Sequence, residues 1–310
     1  VRKVRIRQSD DGLVLDSGTL RHLQLLPGGD VAKDSSLLGV LDVTKTPMGA
    51  RTMRNWIARP LARAADVNAR LDAVQAFVDD RATLAQLRSL LTGVRDLERL
   101  VAKVDSGRAN PRDLKGLAAS LRPIPEILER LADVSDSRDK RGARPQGAQD
   151  ALVSHVKSLS PQPSIVSLID RAIAEDPPVM LSDGGFIASG HSAELDELRQ
   201  VATEGRQWIA EFQAREQQRT GIAKLKVKHV PAFGFLIEIP KASVAQAPAD
   251  YIRRQTLTTG ERYVTPELKE YEQKVLGAHD RAVALEQKLY KDILATIAAK
   301  TVEIQETSLA

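Results

Sequence analysis

The sequence contains no cysteine, which excludes disulfide cross-links, thiol catalysis and thiolate zinc sites and suits a reducing compartment. It holds no apolar run of membrane-spanning length, and its first residues lack the apolar core of a secretion signal. No membrane partner is expected, and the expected location is the cytoplasm. The phosphate-binding pattern G-x-x-x-x-G-K-[ST] is also absent, so these 310 residues are not expected to hydrolyse a nucleotide or to hold a cofactor. His22, His155, His191, His229 and His279 never fall at metal-ligand spacing, so no metal site is expected. Glu267, Glu270 and Glu272 read as a solvated face at a helix N-terminus, not as a catalytic pair, and no catalytic residue is assigned.

Aromatic residues are scarce, at 4%, while Leu, Ala, Arg and Glu recur in long runs broken by few glycines, which favours helix. Thr46-Pro47 is a helix cap and first position, and Met53, Trp56 and Ile57 follow on one face until Pro60. Val67, Leu71, Val74 and Val78 are spaced as on one face of a second helix. Further helical patterns run from Leu84 to Leu91, from Leu97 to Val104, after Pro111, after Pro125 and from Ile165 to Ala174. Residues 134–150 are polar and aperiodic, a solvated loop, and Asp183-Gly184-Gly185-Phe186-Ile187 reads as a turn and a short strand. Trp56 and Trp208 both sit on apolar stripes, which predicts packing and not base stacking.

Two later segments share a heptad-like spacing. Leu195, Leu198, Ala202, Gly205, Ile209 and Phe212 form one seam; Leu268, Tyr271, Val275, Ala278, Ala282, Leu285 and Leu289 form the other. The second starts at Thr265-Pro266 and is expected to run almost to the last residue, roughly 65 Å of helix at about 1.5 Å per residue. The simplest architecture is an antiparallel two-helix arm carrying an insert, residues 222–264. That insert is not helical. Lys224, Lys226 and Lys228 alternate with Leu225 and Val227 as one strand with a basic face. Val230-Pro231-Ala232 turns the chain, and Phe233, Phe235, Ile237 and Ile239 alternate as a second strand that Pro240 interrupts.

The insert holds seven Lys/Arg and three Asp/Glu, an excess of +4 that equals the net charge of the whole chain. A basic tip on long arms suits a clamp on a polyanion, held through phosphate contacts. A solvated β-surface whose lysines serve solubility accounts for the same count. The candidate DNA-binding residues are Lys224, Lys226, Lys228, His229, Lys241, Arg253, Arg254 and Arg262. Adjacent arginines in an extended segment point opposite ways, so only one of Arg253 and Arg254 is expected to face phosphate. Arg262 has an alternative role in pairing with Glu261 or Glu267.

Four stretches together resemble MutS proteins of the bacterial mismatch-repair type, in order and along nearly the whole chain. They are Asp16 to Leu25; Ser36 to Asp42 with Thr46-Pro47-Met48-Gly49-Ala50-Arg51, Trp56 and Arg59-Pro60-Leu61; Asp96 to Leu100 with Ala109 to Leu114; and Thr220 to Ile237 with Tyr251 to Leu257, Glu261-Arg262-Tyr263 and Pro266 to Lys269. The chain departs from the family at Lys228-His229 and at Phe235-Leu236. Arg51, Arg54 and Arg59, near Trp56, are open to a contact with DNA or with another domain; by resemblance they belong to the buried hub of a core domain, which favours a structural role.

The resemblance implies a mainly α fold: a multi-helix core, two long antiparallel lever helices and a small β-rich clamp at their tip. It divides the chain into 1–10, the end of a connector domain; 11–192, the core and lever; 193–280, the clamp with its flanking helix ends; and 281–310, the returning lever helix. It also implies a role in DNA mismatch repair. The full-length protein would be a homodimer around double-stranded DNA at the nucleoid, with ATP and Mg held by an ATPase domain outside these residues and a MutL-type partner. The mismatch-reading domain and the ATPase are expected to lie outside this segment. Two rival readings are a coiled-coil protein whose tip binds another protein, and a MutS relative devoted to other DNA structures.

Overall fold

The computed structural model describes residues 12–28, 32, 35–139, 156–230 and 233–309. The predicted opening strand at residues 1–7, most of the polar loop and Pro231-Ala232 lie outside them, as do the side chains of Ala202, Gly205 and Val275. The fold is mainly α with one small antiparallel sheet, and two compact units divide it: Val1–Glu175 with Asp292–Ala310, and Asp176–Lys291.

Among its described residues, the first unit's regular elements longer than a single bridging residue are helices. Its helices are α1 (Ser17–His22), α2 (Leu37–Leu41), α3 (Pro47–Ala58), α4 (Ala64–Asp79), α5 (Arg81–Thr92), α6 (Leu97–Asp105), α7 (Pro111–Leu121), α8 (Ile124–Asp139) and α9 (Pro163–Ala172). Polar caps set their starts. The Thr46 hydroxyl accepts the Gly49 N–H at 3.0 Å with Pro47 next, and Asn110 and Asp113 form a reciprocal capping box before Pro111. The core lies among α6, α7, α8 and α9, where Leu97, Leu114, Leu117, Leu121 and Ile169 are fully buried. Helix α8 continues to Asp139, into the stretch read as loop, and its first turn is anchored by Ile124 and Ile127 on Leu87 of α5.

Two sequence expectations fail in this unit. Arg51, Arg54 and Arg59 are exposed and not in a buried hub, with Arg51 paired to Asp96 at 2.6 Å. Trp56 is 42% exposed and lies under the Arg70 guanidinium, 3.5 Å from the ring centre, so it is not a core residue. Helix α4 forms as expected, yet Val67, Leu71, Val74 and Val78 are exposed and its opposite side, through Ala76 and Phe77, is the one that packs.

The second unit contains α10 (Ala193–Thr220), strands β1 (Lys226–Val230), β2 (Gly234–Pro240), β3 (Ile252–Leu257) and β4 (Gly260–Val264), and the start of α11 (Pro266–Ala298). Ser192 caps α10, and Gly221, with φ of 71°, ends it in the left-handed conformation. Thr265 caps α11 by accepting the Leu268 N–H at 3.2 Å. The two helices meet as an antiparallel pair through Trp208, which stacks on Tyr271 at 3.7 Å, and through Arg215 and Glu267 at 2.5 Å. The last residues of α11 belong to the first unit, and the helix stops at Ala298 before α12 (Thr301–Leu309), so the returning helix is not continuous. At the break the Thr301 hydroxyl donates to the Ala298 carbonyl at 2.8 Å, and further along α12 Thr307 accepts the Ser160 N–H at 2.9 Å and Glu303 accepts from Gln162 at 2.7 Å. The motif at residues 183–187 forms a turn of 3-10 helix and a single bridging residue, Ile187, instead of a strand.

Candidate nucleic-acid interface

The sheet order is β1-β2-β4-β3, all antiparallel. Strand alternation sends Val227, Phe235, Ile237, Ile239 and Tyr263 to one face, where they pack on Trp208, Ile209 and Phe212 of α10 and Leu268 of α11. The other face carries Lys226, Lys228, Glu238, Gln255 and Arg262. The helices therefore take the apolar face; on the other, Lys226 and Lys228 are exposed, Glu238 and Arg262 are partly covered and Leu236 is buried. The β3–β4 hairpin went unrecognised in the sequence, although Thr258-Thr259-Gly260 between two strand-like runs is its turn. Gly260 passes so close to the Ile239 carbonyl that a Cβ there would collide with backbone.

Both ends of the module are tied to the helices. At one end Glu272 of α11 accepts the Phe235 N–H at 2.7 Å. At the α10 side, Glu216 is buried and accepts from Arg219 at 2.7 Å and from the Tyr251 hydroxyl at 2.8 Å; Arg219 also reaches Asp250 at 3.0 Å. Burial, then the Glu216 carboxylate, pushes the Tyr251 phenol up, and its two acids hold the Arg219 guanidinium more firmly protonated. Strand β1 is an edge, and two glutamines one helical turn apart on α10 occupy its outer rim. Gln213 accepts the Val227 N–H at 2.8 Å, and Gln217 donates to the Leu225 carbonyl at 2.7 Å. Sequence reasoning passed over both, though their spacing of four places them on one side of α10.

The eight candidate cations divide by partner. Arg262 is mostly covered and bonds Glu238 at 3.3 Å and Gln255 at 2.9 Å, not the acids named as its alternatives. Lys228 also binds Glu238, at 3.0 Å, and these two cations hold that carboxyl below the usual carboxylate range, with Lys228 the larger cause. Arg253 is 3.4 Å from Glu261, which in turn accepts from the Tyr263 hydroxyl at 2.6 Å. A bulge between Arg253 and Gln255 makes Arg254 the extra residue of β3, so the simple alternation of adjacent arginines does not apply. Lys224 precedes β1 in a turn and is not on its face. His229 packs edge-on against Phe235, with ring centres 5.0 Å apart.

Among the described residues, Lys224, Lys226, Lys241 and Arg254 are exposed and their side chains have no acidic partner. Pairing of Lys226 with Glu238 and of Pro240 with Gly260 brings Lys226, Lys241 and the Thr258-Thr259 turn to one end of the sheet. Lys241 donates its N–H to the Thr259 carbonyl at 3.0 Å, which fixes the two together. The exposed side chains at this end include Lys226 and Lys241. Exposed cations of this kind suit an extended anion. Among the described residues no three His, Asp or Glu side chains form a metal-binding group, and no helix is long and apolar enough to cross a membrane.

The family model for MutS domain III matches residues 18–310. The chain is similar to the DNA mismatch repair protein MutS of Methanosarcina barkeri, at 39% identity over 309 residues. It is 42% identical over 309 residues to that of Salinibacter ruber and 40% identical to that of Methanosarcina mazei. In each case the match covers 99% of this chain and 33% of the relative, so the chain spans about a third of their length.

Proposed function

The chain belongs to the MutS family, and from that premise we propose that its four-stranded sheet is a clamp on the phosphate backbone of duplex DNA in mismatch repair. One observation carries this reading: the apolar face of the sheet is spent on α10 and α11, while Lys224, Lys226, Lys241 and Arg254 stand outside it without acidic partners among the described residues. Unpaired exposed lysines and arginines bind phosphates by releasing counterions, and such contacts carry no direct sequence information. The two edge strands lie about 14 Å apart, at about 4.8 Å per strand. That is close to the roughly 12 Å width of a major groove, so the two edges reach phosphates on either side of it.

In this reading the two long helices link the grip to an ATPase domain, with ATP and Mg bound outside the described residues. The full-length protein encloses the duplex as a homodimer and engages a MutL-type partner. The likeness to DNA mismatch repair proteins supports the repair assignment, and the charge distribution supports the grip.

Salt-titrated binding to a matched duplex tests it. Each phosphate contact contributes about −0.9 to the slope of log affinity against log salt. The Lys226→Ala, Lys241→Ala, Arg254→Ala triple variant should flatten that slope by about 2–3 while remaining folded. The wild-type chain should bind a G·T duplex and a matched duplex alike. Coincident slopes for wild type and variant, or no binding at all, would overturn the clamp reading.

A further inference from the structure

Glu286 lies on α11 with its side chain 3% exposed, and it takes no part in the sheet. Its Oε1 accepts the Gly185 N–H at 3.0 Å and two bonds from Arg199 of α10, at 3.1 Å from Nε and 2.6 Å from Nη2. Its Oε2 accepts the Phe186 N–H at 3.2 Å. Arg199 Nη2 donates as well to the Ile187 carbonyl, at 2.8 Å. Away from a helix N-terminus, two successive backbone N–H groups aimed at one carboxylate mark an anion-binding bend, which needs unusual dihedrals. Gly184 and Gly185 supply them, with φ of 65° and 78°. The Gly-Gly run is thus a cradle for an anion, and the anion is a carboxylate of the same chain.

A buried charge with four donors is costly to assemble and is best explained by what it specifies. The described residues of α11 that lie between this point and the aromatic stack on Trp208 include Ala278 and Ala282, both buried. Small apolar contacts are non-directional and tolerate a slide of one helix along another. Four hydrogen bonds to one carboxylate do not. We propose that Glu286 is a positioning residue for DNA binding: bonded at once to the 184–187 loop and to Arg199, it sets the register of α10 against α11 and so holds the sheet where it meets the duplex. This rests on the clamp reading for its functional consequence, though the register itself is independent of DNA.

The absence of native cysteine permits a clean distance measurement. Spin labels on Gln207→Cys and Lys274→Cys, at exposed positions of α10 and α11, should give one narrow distribution in the 310-residue chain. Glu286→Ala should broaden or shift it. Leu195→Ala, which removes a fully buried apolar contact of α10 without a directional bond, should lose stability but keep the narrow distribution. Should Glu286→Ala not fold, Arg199→Lys, which keeps the charge and loses the forked pair of donors, carries the same test.

On matched duplex, Glu286→Ala should bind about five- to tenfold more weakly, the low end of coupling between separate sites, with an unchanged salt slope because no phosphate contact is lost. An unaltered distance distribution, or equal broadening by Leu195→Ala, overturns the proposal. Failure of the wild-type chain to bind DNA would instead sink the clamp reading, and the distances would still decide the register.

Discussion

Gly234 lies so close to the Glu272 carboxylate that a Cβ there would force that side chain to move, and its φ is 76°. That approach lets Glu272 take the next N–H, that of Phe235, and pins the start of β2 to α11. Gly234→Ala should therefore destabilise the chain twice over. The left-handed conformation costs a non-glycine residue about 1–2 kcal/mol, and Glu272 must swing away from Phe235. Thermal melts should show a lower Tm for this variant, and Glu272→Ala should lower it less. An unchanged Tm in Gly234→Ala would mean that the hairpin is not held this way.

Charge alone groups Arg262 with the DNA-binding cations, yet it is mostly covered and bonded to Glu238 and Gln255 across three strands. Replacing it with Ala should lower stability by about 1 kcal/mol, since a partly covered bond network is broken, and leave Glu238 to Lys228 alone. The salt slope of duplex binding should not change. A flattened slope with normal stability would return Arg262 to the interface.

The tyrosines of this region should ionise late. Burial and then Glu261 push the Tyr263 phenol up to about 12, and Tyr251 and Tyr271 are raised as well, burial leading in each case. A folded value above the ordinary 10.0 means that the stabilising contribution is complete below pH 10 and is lost as pH climbs from there to about 12. Tyrosinate absorbance followed against pH should rise near 10 in denaturant and clearly later in the folded chain. Denaturation midpoints should fall across that same window. Coincident titrations with and without denaturant would show that these hydroxyls are not held as described.

The helices of the first unit were legible because their signals are local. Thr46-Pro47 and Asn110-Pro111 carry cap and first position within three residues, and the leucines of α6 and α7 repeat every three or four. The pattern did not say which apolar face is covered. Val67, Leu71, Val74 and Val78 mark a helix correctly and remain exposed, since coverage depends on what lies opposite. The same holds at Ala298, where no glycine or proline ends α11 and bonds from Ser160 and Gln162 to α12 accompany the break.

At the candidate interface, composition alone located the excess positive charge between residues 222 and 264, because net charge is a sum that needs no coordinates. It also supplied the β1 and β2 alternation and the long helical seams, which follow from periods of two and of three to four residues. Which cations are free was decided by the fold. Glu238 sits on β2, ten residues from Lys228 and twenty-four from Arg262, and only the register of three strands brings it to both. The cradle around Glu286 spans a hundred residues of chain and was invisible for the same reason: a carboxylate's donors are chosen by distance in space, and sequence order constrains that distance only over a turn or two.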